Sequence, residues 1–195
     1  MNIAGHINIV GKDGKKSRSE GRVCVADVHD VESVTAEGDI SFKEISGTTI
    51  SLSGKISGKL LSSENVSLQG RLKVTTIVGE NVDIIFSQDS HVGDISGKSI
   101  KIAPEERKNP EIVSAIIGGF LGMNVSSVPD EASSIYIKSL RGGDVDLKRC
   151  ACDTVVCASA KLSDGCVIKR LYCTGNFDVD DSVNIVENIS DKPLK

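Results

Sequence analysis

The chain has 195 residues, 39% of them apolar, with 19 glycines, 4 phenylalanines, 2 tyrosines and no tryptophan, so any core it builds is aliphatic and favours strands over an aromatic-anchored enzyme core. Its formal charge is −4, and its 23 basic residues are spread through the sequence, which gives a nucleic-acid-reading surface no compositional support. No apolar run reaches the roughly 18 residues of a spanning helix, and the N-terminus has neither the basic start nor the cleavage site of a secretory signal, so the expected location is the cytoplasm.

The chain begins with an apolar alternation, Ile3, Ile7, Ile9 and Val10, that reads as a strand. An internal repeat follows. The pattern apolar-x4-apolar-x-apolar occurs as Ile45, Ile50, Leu52, as Leu61, Val66, Leu68, as Ile77, Val82, Ile84 and as Ile95, Ile100, Ile102, in steps of 16, 16 and 18 residues. A second marker, Gly-x-apolar, recurs at Gly5, Gly21, Gly38, Gly54 and Gly70 with nearly the same period. Within each unit apolar residues alternate with Ser, Thr, Lys or Asp, the period of a strand with one buried face, and glycines mark the corners. One such unit has no partner for its backbone or its apolar face, so the units must stack. The expectation is an all-β, single-domain β-solenoid of about 16–18 residues per coil, right-handed because the steps are too irregular for a strict hexapeptide helix.

Residues 104–133 interrupt the repeat. Pro104–Pro110 is a charged linker, and Asn109, Pro110 and Glu111 supply the start of a short helix. The apolar stretch that follows is too short to cross a bilayer. It has two readings: a cap on the solenoid, or a docking element for a membrane surface or a partner through Ile116, Ile117, Phe120 and Leu121. The repeat resumes as Leu140, Val145, Leu147, which divides the chain into coils 1–103, the insertion, coils 134–189 and a tail 190–195.

Five cysteines, Cys150, Cys152, Cys157, Cys166 and Cys173, crowd the resumed coils. Their spacing lacks the close C-x2-C pairs of a zinc site, and they read as buried structural thiols rather than metal ligands or disulfides. Gly97-Lys98-Ser99 resembles the end of a phosphate loop but lacks the first glycine and the strand-to-helix turn, so no nucleotide site is expected. His6, His29 and His91 are far apart and have no neighbour that would activate a nucleophile. No catalytic, cofactor or metal residue is assigned.

The stretches GDISGKSIKI (93–102), IKSLRGGDVDLKRCACDTVV and DGCVIKRLYC (within 137–173) resemble the bactofilins of Firmicutes, and the likeness extends over about Gly21–Ile185. The resemblance implies a short right-handed β-helix and a nucleotide-independent polymer that localises envelope, motility or shape factors, cytoplasmic or peripheral at the inner face of the membrane. The chain departs from that pattern in lacking a long N-terminal tail, in its insertion and in its many cysteines. Uncapped coils are templates for further chains, so the contacts are expected between Ile3, Ile7, Ile9 and Val10 at one end and Phe177, Val179, Val183 and Ile185 at the other. The alternatives are a β-solenoid binding module that does not polymerise and, third, a hexapeptide-type acyltransferase.

Overall fold

The computed structural model describes residues 5–21, 23–87, 89–105 and 134–189, and none of these is helical. The expected helix over the insertion, with Ile116, Ile117, Phe120 and Leu121, lies outside the described residues, as do Ile3 and the tail. The elements are β1 (Gly5–Gly11), β2 (Lys16–Gly21), β3 (Val23–Phe86), β4 (Ser90–Pro104), β5 (Ile135–Lys148), β6 (Cys150–Ser163), β7 (Val167–Cys173), β8 (Phe177–Val179) and β9 (Asn184–Asn188). β3 is one uninterrupted extended segment of 64 residues that winds through successive coils. From β3 onward every pairing is parallel and in register, coil on coil, and the molecule is the β-solenoid expected from the repeat.

Register turns the sequence pattern into columns. Val82 lies on Ile100, Ile100 on Val145, Val145 on Ala160 and Ala160 on Phe177. Beside them run Ile84, Ile102, Leu147, Leu162 and Val179. All the repeat residues named above from Ile45 to Leu147 are buried in one continuous cluster. Pairing steps of 18 residues from β3 to β4, 15 from β5 to β6 and 16 from β6 to β7 show that coil length varies without breaking the columns. The insertion interrupts the numbering and not the stack, because β4 pairs directly with β5, Ser90 on Ile135 through Ile102 on Leu147.

One corner needs glycine in the N-terminal coils. Gly38, Gly54 and Gly70 have φ of 114°, 110° and 117°, and a Cβ on Gly54 or Gly70 would lie 2.3 or 2.1 Å from the carbonyl oxygen of the glycine one coil earlier. Those contacts also fix a step of 16 residues through this part of β3. In later coils the same corner is turned by Asp89, Arg149 and Asp164 in the left-handed region, with φ of 55–56°. A second close fit is between coils: the Phe42 ring fills the space that a side chain at residue 58 would occupy, 2.1 Å from a Cβ built there.

Candidate functional site: the two ends of the coil stack

The N-terminal end is closed by a hairpin. β1 pairs antiparallel with residues 31–37 of β3 on one side and with β2 on the other. The turn between β1 and β2 is built from Lys12-Asp13-Gly14-Lys15: Gly14 N–H donates to Gly11 O at 2.8 Å, Gly11 N–H to Lys15 O at 2.8 Å and Lys15 N–H to Asp13 Oδ1 at 3.1 Å. Gly14 supplies the positive φ, 77°. The Lys15 ammonium, 2.7 Å from Asp13 Oδ2, holds the Asp13 carboxyl below its usual range, and Lys12 pairs with Asp30. Ile7, Ile9 and Val10 therefore lie inside the sheet, with Ile7 only 6% exposed. The edge at this end is β2, not the strand anticipated from the apolar alternation.

β2 is polar throughout, and from Lys12 to Arg18 there are four cations to one carboxylate. A charged edge strand is one of the devices by which sheets avoid indiscriminate pairing.

The C-terminal end is built in the opposite way. β8 lies on β6 and β9 on β7, and no described strand covers either. Phe177, Val179, Val183 and Ile185 pack on the core from one side and remain half-buried, while Val186 is 72% and Ile189 47% exposed. The corner between β8 and β9 is held by Asp180, whose carboxylate accepts from Asp164 N–H at 3.0 Å and from the backbone and hydroxyl of Ser182. These donors hold the Asp180 carboxyl below its usual range. From Thr174 to Ile189 the coil carries Asp178, Asp180, Asp181 and Glu187 and neither lysine nor arginine.

Between the ends, opposite charges stack on successive coils: Lys43 Nζ lies 3.6 Å from Asp27, Lys55 Nζ 3.7 Å from Asp39, Arg71 Nη2 3.2 Å from Asp89 and Lys98 Nζ 2.5 Å from Glu80. Tyr136 on β5 donates its hydroxyl to Asp153 on β6, which also takes Lys169 of β7 at 2.6 Å. Lys169 and Tyr136 hold the Asp153 carboxyl down, and Asp153 in turn raises the Tyr136 and Lys169 pKa values. His91 stacks on Tyr136 with ring centroids 5.0 Å apart.

The five described cysteines are all buried and free. Cys157 lies in register on Cys173, and Cys150 N–H donates to Cys166 Sγ at 3.4 Å. Burial raises the thiols of Cys150, Cys152 and Cys157, the last to about 12, while the hydrogen bond from Cys150 draws Cys166 down to about 7. Among the described residues none of these thiols joins a cluster of three potential metal ligands. The cluster that does form, Asp27, His29 and Glu44 with ligand atoms within 4.8 Å of one another, stands on the outer face, where Lys43 already pairs with Asp27. Gly97, Lys98 and Ser99 are part of strand β4, with Lys98 held by Glu80.

A groove of about 550 Å³ runs along the corner of small residues Gly47, Ser63, Gly79 and Gly97. The Ser63 hydroxyl beneath it donates inward, to Thr48 O at 2.8 Å and Asn65 O at 3.0 Å, so it is not presented as a nucleophile. No helix among the described residues is long and apolar enough to cross a membrane. No protein-family model matches the chain, and no curated protein or solved structure is significantly similar to it.

Proposed function

We propose that the protein is a non-enzymatic structural scaffold of the bactofilin type, which assembles with itself end to end without nucleotide and so gathers envelope, motility or shape factors in the cytoplasm or at the inner face of the membrane. The observation that carries this reading is the C-terminal coil: its apolar residues Phe177, Val179, Val183 and Ile185 are half-covered and its strands β8 and β9 have no partner on their outer side among the described residues. Backbone groups and apolar surface left in that state favour the addition of another strand.

Negative-stain electron microscopy of the tag-free chain over a range of concentrations, with and without nucleotide, tests the reading. Elongated polymer that grows with concentration and ignores nucleotide is the expected result. A monomer at every concentration contradicts it and leaves the axial groove, with the binding-module alternative, as the better starting point.

A further inference from the structure

We propose that copies join head to tail, the hairpin strand β2 of one copy seated on β8 of the next, and that the contact continues a charge ladder running through the coils. This rests on the self-association proposed above and specifies its polarity and its residues.

The ladder is read from the register. Asp83 lies on Lys101, Lys101 on Asp146, Asp146 on Lys161 and Lys161 on Asp178. The sign alternates at every coil and the column ends on a carboxylate. One Asp146 oxygen is buried without a hydrogen bond, so the lysines above and below are the groups that offset its charge. Followed toward the N-terminus in steps of 16, the same column passes through Ser67, Ser51 and Thr35, then Asn8, opposite Thr35 on β1, and finally Arg18, opposite Asn8 on β2. One column of the molecule thus has Arg18 at its head and Asp178 at its foot.

Strand direction agrees with this. β1 is antiparallel to β3 and β2 is antiparallel to β1, so β2 runs in the same sense as the coil strands. A second copy stacked along the axis offers β2 to β8 as one more parallel rung. In that register the ladder reads Lys161, Asp178, Arg18, and Ser17 falls over the apolar column that ends at Phe177. Glu20 falls over the column of Asp180, whose carboxylate is already turned into its own corner by Asp164 and Ser182.

Charge selects this pairing over the symmetric ones. Two heads would oppose Lys16 and Arg18 with their own copies, and two tails would oppose four carboxylates with four. Head on tail brings unlike signs together, and added salt weakens such a contact.

The experiment is sedimentation of the full chain in three forms: unmodified, Arg18→Glu and Asp178→Lys, each checked for folding by circular dichroism. Each single reversal is expected to raise the concentration at which polymer forms by tenfold or more. An equimolar mixture of the two variants restores it, because the carboxylate introduced at position 18 of one variant then meets the ammonium introduced at position 178 of the other, while the second type of junction keeps Arg18 on Asp178. Polymer from the unmodified chain that survives both reversals, responds to Asp178→Lys alone, or is not rescued by mixing overturns the head-to-tail contact and leaves end-to-end association standing. Absence of polymer from the unmodified chain overturns both.

Discussion

The two ends of this solenoid solve the same problem in opposite ways. At the N-terminus the chain folds back twice, so that an apolar strand is covered on both edges and a polar, basic strand becomes the rim. At the C-terminus the coil simply stops, with an acidic rim and half-covered apolar residues. A stack of identical rungs has no intrinsic reason to end differently at its two ends. The difference teaches that the ends are sequence-specified surfaces with their own chemistry, and that unlike charge gives assembly a direction.

The corners give the largest test of how the two halves differ. Gly70→Val, in the N-terminal stack, puts a side chain against the carbonyl of Gly54 at a φ of 117°, and is expected to cost about 3 kcal/mol or more of unfolding free energy. Gly165→Ala, in the C-terminal coils, meets nothing within 4 Å and carries only the strain of a φ of 76°, so about 1 kcal/mol is expected. Urea unfolding reads both, and equal losses would show that the glycine column is not what sets the N-terminal corner.

A smaller contrast follows from burial at the ends themselves. Ile7→Ala removes a side chain that is 6% exposed and is expected to cost about 2–4 kcal/mol. Ile185→Ala, on the half-covered last coil, is expected to cost about 1 kcal/mol while weakening polymer. If the two variants unfold at the same urea concentration, the C-terminal coil is covered as well as the hairpin is.

The smallest and most gradual effect is alkaline. Burial holds Cys157 at about 12 against 9.0 for an ordinary thiol, and Cys150 and Cys152 are raised in the same sense. Thiols raised in the folded chain contribute stability that is fully present below pH about 9 and is lost as pH rises toward 12, at about 1.4 kcal/mol per pH unit for each ionising group. Cys166, drawn down to about 7, has the opposite sign: its contribution is present above pH 9 and is lost as pH falls through 7. Three thiols outweigh one, so limited proteolysis at pH 10.5 should cut first in the coils from Cys150 onward, and cleavage that begins in β3 would count against this account.

The apolar period was legible because Ile45, Leu61, Ile77, Ile95 and Leu140 are large aliphatics at nearly fixed steps, and each is buried where the pattern puts it. The continuation through Val155, Ala160 and Leu162 carries the same spacing, but alanine and the neighbouring cysteines dilute the signal. β2 has no apolar alternation, so the hairpin left only the Asp13-Gly14 turn as its trace, and Ile7 read as an edge. The charge ladder and the Asp27, His29, Glu44 group were hidden for another reason. Both depend on which residue lies on which, and pairing steps of 18, 45, 15 and 17 from one rung of the ladder to the next cannot be aligned from a single sequence. Basic residues that look scattered along the chain gather at one end only after β2 is folded onto β1.

The most direct test is a cross-link across the junction. Arg18→Cys and Asp178→Cys in one chain, mildly oxidised and run on a non-reducing gel, should give a ladder of multimers, because every head then reaches a tail. The account is contradicted if that chain stays monomeric, or if Asp178→Cys alone gives covalent dimers, which would place tail against tail.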